Sequence, residues 1–305
     1  MDMLSPFRLS APAPGTDIPV LVTSPHSGAT YSEAFLAASR LDAHAIRQSE
    51  DMFVDDLFAA SPTHGAHLLS ATFPRAYIDL NRAPYELEQV LFEDRLPDHV
   101  DKKSTRASAG LGTVPRLVAE NEPIYYGKLR FAEAEQRIEK IHQPFHAEMK
   151  RLTRQMVETH GFAILLDAHS MPDIAGHRAH AMSDGASVDF VLGDRFGRAC
   201  HPTLTDWVKT ELEKHGYRVA MNKPYAGGYI TEHYGQPGQG QHALQIEINR
   251  TIYMDEKNYA RHHGYQIVQA HLSDLMAALS QEMPTLAAAL NPQHTRQTPD
   301  QSAAE

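Results

Sequence analysis

Residues 164–172 read ILLDAHSMP. With Ala163 in front, the run is short and apolar without alternation, the pattern of a strand buried on both faces. It then runs into Asp167, Ala168, His169 and Ser170, with Pro172 beyond. A core strand that ends on an acid, an imidazole and a hydroxyl carries polar chemistry at its carboxyl end. In open α/β sheets that end is where ligands bind. The spacing predicts a strand over 163–166 with His169 at its mouth.

The neighbouring stretches complete an alternating pattern. IPVLVTSPHSG (18–28) is a second buried strand, ending at His26. HLLSATF (67–73), AYIDL (76–80), DFVLGD (189–194), YRVAMN (217–222) and HALQIEINRTIYM (242–254) read as further strands. Helices are predicted over 49–65, 129–161 (kinked at Pro144), 201–216 and 259–283. The first of these places Met52, Phe53, Leu57 and Phe58 at helical spacing, with Gly65 past its end. Residues 83–122 show no period and read as a long excursion, with a lid as one reading. Residues 227–241 read as a glycine-rich loop. Alternating strands and helices imply an α/β sandwich. The polar stretch from about Asn291 is expected to be disordered, leaving one catalytic domain over 1–290.

Composition narrows the function. The 305 residues are 42% hydrophobic and 22% charged, ordinary for a globular chain. A formal net charge of -10 and no Lys/Arg run argue against a nucleic-acid partner. No run of 18 apolar residues predicts a membrane span. MDMLSPFRLSAPAPG lacks a basic region followed by an apolar one, so no secretory signal is expected. The single cysteine, Cys200, excludes an intrachain disulfide or a thiolate metal cluster and suits a reducing cytoplasm. The 19 histidines invite a search for metal ligands.

Two histidines and one carboxylate are a common protein set for a hydrolytic metal with an open position. His26 and His169 end strands, and Asp51 opens the helix after the first. Each also has a plain structural role: a loop histidine, a core histidine, a first-turn acid. Glu247 lies between Ile246 and Ile248 in a strand, where an unpaired carboxylate is costly. It is either a general base beside a metal site or the ion-pair partner of Arg250. Arg75, Asn81 and Arg82, in FPRAYIDLNRAP (73–84), suit a small dicarboxylate or an acylated acidic amino acid, with surface salt bridging as the alternative. His177, His180, His233, His242, His262 and His263 are weaker metal candidates. No GxGxxG follows a strand and no GxSxG elbow holds Ser24, Ser27 or Ser170, which argues against dinucleotide binding and a serine hydrolase.

SPHSG (24–28), EDMFVDDL (50–57), FPRAYIDLNRAP (73–84), DAHSMP (167–172) and GQHALQIEINRTIYMDE (240–256) together resemble the N-formylglutamate amidohydrolase family. The five blocks fall in order over roughly residues 18–275. The DLNR piece is also similar to the aspartoacylase and succinylglutamate desuccinylase group. The resemblance implies a three-layer α/β/α sandwich with a mixed sheet, phosphorylase/hydrolase-like and related to the zinc carboxypeptidases. It implies a Zn2+ site, or one for another divalent metal, with His26 and His169 as ligands. Carboxypeptidase relatives place a glutamate three residues after the first histidine, and here that position is Ala29. The third ligand is then expected from Asp51, with Glu50 as the alternative. Glu247 matches the catalytic glutamate, and Asn81 and Arg82 match a substrate-carboxylate clamp that Arg75 joins. Arg250 is expected as a further arginine of the substrate site, and Gly228, Tyr229 and Thr231 as the wall around the acyl group.

The expected activity is metal-dependent hydrolysis of a small anionic N-acyl amino acid, N-formyl-L-glutamate giving formate and L-glutamate, at the end of histidine degradation in the cytoplasm. The alternatives are a hydrolase of another N-acyl or N-formimidoyl amino acid and a non-catalytic metal-containing binding protein. No oligomeric state follows from the sequence.

Overall fold

A computed structural model describes residues 4–119, 121–173 and 187–292. His177, His180 and nearly all of the tail expected to be disordered lie outside the described residues. In chain order the elements are β1 (Phe7–Ser10), β2 (Val20–Ser24), α1 (Glu33–Ala38), α2 (Val54–Leu57), β3 (His67–Ala71), α3 (Thr105–Ser108), β4 (Leu117–Ala119) and β5 (Glu122–Pro123). Then come α4 (Phe131–Arg137), α5 (Gln143–His160), β6 (Ala163–Met171), β7 (Phe190–Gly193), α6 (Pro202–Lys214) and β8 (Val219–Met221). The series closes with α7 (Tyr229–Tyr234), β9 (Gln241–Asn249), β10 (Met254–Asp255), β11 (Ala260–Arg261) and α8 (Gly264–Leu290).

Among the described residues, seven strands form one sheet in the order β1-β3-β2-β6-β9-β7-β8. β2 pairs with β6, and β6 with β9, in parallel; β7 runs antiparallel to β9. This is the mixed α/β fold the sequence implies. All nine residues of β6 are buried, as are all of β9 but Gln241. The strand predicted to stop at Leu166 therefore continues to Met171, because β9 follows it to the end, with Asp167–Met171 paired to Gln245–Asn249. Residues paired in register share a face and alternate along each strand. His169 sits opposite Glu247 and Asp167 opposite Gln245, so these four polar residues lie on one face in two adjacent rows.

The chain divides into two compact units. One gathers the stretch ending at Leu9 with Ser24–Asp55 and Leu69–Lys150; the other gathers Ser10–Thr23, Asp56–Leu68 and the chain from Arg151 onward. In the first unit, the excursion over 83–122 is no structureless loop. Its Leu87, Leu91, Phe92, Leu96, Val100, Val114 and Val118 are buried in a cluster with Phe35, Ile46 and Ile124. The segment is aperiodic because it is folded by side-chain burial rather than by a long helix or strand. In the second unit, Met171, Val188 and Val191 form a small core with Ala220 and Tyr225 against it.

Several expected elements are corrected. The helix expected over 49–65 shrinks to α2 with a separate 3-10 turn at Ser61–His64. Phe53 stands at φ 67, a left-handed conformation that an α-helix cannot contain. Residues 76–80 form turns instead of a strand. Tyr77 and Ile78 donate their N–H groups back to Pro74, and Asp79 donates its own to Thr113. Arg137 fixes that turn from α4 by donating to the Tyr77 carbonyl and the Tyr125 hydroxyl, with its guanidinium carbon 4.0 Å from the Tyr77 ring centroid. The helix over 129–161 is interrupted by a π-helical turn at Ile138–His142, just before Pro144. The glycine-rich loop contains α7. The closing helix starts later than predicted, because Tyr259 is left-handed and β10–β11 form a hairpin ahead of it.

Candidate active site

The loop after β2 carries His26 and is fastened by its serines. The Ser27 hydroxyl donates to the Asp51 carbonyl at 3.1 Å and accepts from the Asp55 N–H at 3.2 Å, and it also bonds Ser24. The Asp51 N–H donates to the His26 carbonyl at 3.0 Å. Gly28 is required here, since a Cβ would stand 2.1 Å from the Phe73 carbonyl oxygen. Local backbone bonds thus bring His26 and Asp51 together across 25 residues of sequence.

His26 is 1% exposed. Its Nε2 donates to Asp79 Oδ1 at 2.7 Å, and its Nδ1 lies 3.2 Å from Asp51 Oδ2. A neutral imidazole has one N–H. With Nε2 on Asp79, Nδ1 and Asp51 Oδ2 are the two atoms left side by side that can each ligate a cation. Asp79 also accepts from the Arg75 Nε at 3.0 Å and the Asn81 N–H at 2.8 Å, with Arg82 Nη2 at 3.7 Å. Burial raises the Asp79 pKa, but Arg75, Arg82 and His26 outweigh it and hold the carboxyl well below its usual range. Asp79 was not singled out in the sequence. The signal was present, since it is an acid between Ile78 and Leu80, the argument that drew attention to Glu247.

Arg82 is buried, its Nε donating to the Leu111 carbonyl and its Nη1 to that of Asn81. Burial lowers its pKa, and Asp79 partly offsets the effect. The two carbonyls flanking Asn81 are held by stacked histidines: His146 Nε2 donates to Leu80 at 2.8 Å and His142 Nε2 to Arg82 at 2.9 Å. Glu50 is committed elsewhere, accepting from Arg47 and from the Tyr31 hydroxyl.

On β6, His169 Nε2 donates to Asp167 Oδ1 at 3.0 Å, and the second Asp167 oxygen accepts from Thr231 at 3.3 Å. Thr231 is fully buried in α7, and Gly228 is that helix's N-cap, with Tyr229 its first residue. Glu247, opposite His169, is 7% exposed and accepts from the Gln245 amide; Arg250 donates its Nε to Ser170 at 3.0 Å. His242 and His262 serve structure, bonding the Leu290 and Thr251 carbonyls. His233 stacks on Tyr229, and His262 lies beside His263.

Among the described residues, His26, Asp51 and His169 form a buried group that could hold a metal ion. One ligand atom from each lies within 4.8 Å of the others. The donor set fits a divalent cation of borderline character. The Nε2 of each imidazole rests on an aspartate, Asp79 or Asp167, the arrangement by which carboxylates orient metal-binding histidines.

A mixed α/β sheet with two buried histidines, a buried carboxylate and a strand glutamate defines a candidate hydrolase site. The match to the N-formylglutamate amidohydrolase family model spans residues 18–254, and the chain belongs to that family of hydrolases acting on amide bonds. It is 32% identical over 242 residues to the N-formylglutamate deformylase of Pseudomonas putida, covering 78% of this chain and 83% of the relative. The deformylase of Pseudomonas aeruginosa is 30% identical over 243 residues, covering 79% and 84%. The crystal structure of N-formylglutamate amidohydrolase from Ralstonia eutropha JMP134 superposes with a TM-score of 0.86 at 35% identity. It covers 92% of this chain and 99% of its own.

Proposed function

We propose that this chain hydrolyses N-formyl-L-glutamate to formate and L-glutamate with a zinc ion held by His26, Asp51 and His169. The buried group these three residues form carries the reading, together with the relatives' shared activity. A divalent ion bound there would supply Lewis acidity toward water and the amide carbonyl.

The remaining work falls to side chains. Glu247, fixed on β9, takes a proton from the attacking water and passes it to the leaving nitrogen as the C–N bond breaks and the new C–O bond forms. Arg75, Asn81 and Arg82 hold the substrate carboxylates, with Arg250 a further cation for the developing oxyanion. Gly228, Tyr229 and Thr231 bound the acyl end, where a formyl group needs the least room. Residues 1–290 act as one catalytic domain, and the reaction would close histidine degradation in the cytoplasm.

The test is metal content and formate release on one purified sample, with His169→Ala beside it. About one zinc per chain, with formate release lost together with the metal in the variant, is the expected result. A panel of N-acetyl, N-succinyl and N-formimidoyl glutamate decides the acyl group. Full activity in a metal-free sample overturns the proposal.

A further inference from the structure

We infer that Gln245 is a positioning residue for Glu247, which fixes the oxygen on which the glutamate carries its proton. This rests on the role proposed above for Glu247.

Gln245 lies two residues before Glu247 on the same face of β9. It is buried, and both ends of its amide are engaged. The Gly228 N–H donates to its Oε1 at 2.7 Å, and its Nε2 donates to Glu247 Oε1 at 2.5 Å. A backbone N–H can only donate, so the amide atom facing Gly228 must be the oxygen. That settles which end faces Glu247: the NH2. Glu247 Oε1 is thereby held as an acceptor, and a proton taken up by this carboxylate is carried on Oε2.

The neighbouring row makes the same provision for the histidine opposite. Asp167, paired in register with Gln245, accepts from His169 on one oxygen and from Thr231 on the other. Gly228 and Thr231 stand three residues apart at the start of α7, so one short segment holds both supporting side chains. A glutamine is the side chain suited to this place. It must accept from a main-chain donor and donate to a carboxylate at once, which neither an ionised acid nor an apolar residue can do.

The test is Gln245→Met in the full chain, with kcat and KM for N-formyl-L-glutamate, metal content and thermal unfolding measured together. The expected result is a fall in kcat of about 10- to 100-fold with KM within about twofold and metal content unchanged. In a Glu247→Asp background, whose shorter side chain already leaves the amide, the same change should cost less than about twofold. Gln245→Glu keeps the shape and carries the test if the methionine variant does not fold; it should lose kcat likewise. An unchanged kcat in the folded variant, an equal loss in both backgrounds, or a loss that tracks metal content overturns the inference. Absence of formate release by the unaltered chain overturns it together with the proposed function.

Discussion

Asp79 places four demands on one carboxylate. It accepts from His26, Arg75 and the Asn81 N–H, and lies beside Arg82. It therefore ties the ring orientation of a metal-binding candidate to the loop that carries Arg75, Asn81 and Arg82, the substrate clamp proposed above. Asp79→Asn keeps the shape and removes the charge. It should weaken metal affinity by about 10- to 100-fold, measured by competition with a chromophoric chelator, as loss of an outer carboxylate does. A variant that binds metal as tightly as the parent would show that His26 is oriented without it. Glu247 was legible in the sequence because a strand seldom spends a buried position on an acid. Asp79 carries the same sign, an acid between Ile78 and Leu80, but its partner was not legible, because only the turn over 76–80 brings its side chain onto His26.

At the scale of elements, the strands β2, β6 and β9 were legible because burial on both faces writes them as short, largely apolar runs, and their few polar residues stood out against that background. Their order and register were not, since pairing is a long-range choice that a run of valine and leucine does not encode. The helix expected over 49–65 failed at a single backbone angle, Phe53, which hydrophobic spacing does not report. The loop after β2 shows the same dependence on backbone. Gly28→Ala would drive a methyl into the Phe73 carbonyl and should cost about 1–3 kcal/mol in urea unfolding. It should also lower metal content, because His26 and Asp51 are positioned by that loop. Unchanged stability in this variant would show that the backbone yields.

At the scale of the whole molecule, the buried imidazole of His242 ties stability to pH. His242 Nδ1 accepts from the His201 N–H, and its Nε2 donates to Leu290. Burial, chiefly, lowers its pKa below the ordinary value of 6.5 despite the Leu290 bond. The unfolded chain therefore binds this proton at a higher pH than the folded one. Between the two values the unfolded state holds more protons, so stability rises with pH there. The contribution is complete above about pH 6.5 and is lost as pH falls toward the folded value. The urea midpoint should drop from about pH 7.5 to about pH 5.5, and less steeply in His242→Gln. Equal slopes in the two proteins would assign the pH response to other groups.

The π-helical turn at Ile138–His142 sets the phase between two grips on one loop. Such a turn closes i→i+5 bonds and so holds one residue more than the α-helical turn in whose place it stands. Upstream of it Arg137 holds Tyr77; at and beyond it His142 and His146 hold Arg82 and Leu80. A chain one residue shorter here would rotate these two sets by about 100° relative to each other. Only one could keep its grip on the loop. Deleting one residue at this turn should therefore release one of the two sets, whereas substitutions on the exposed helix surface around it leave both in place.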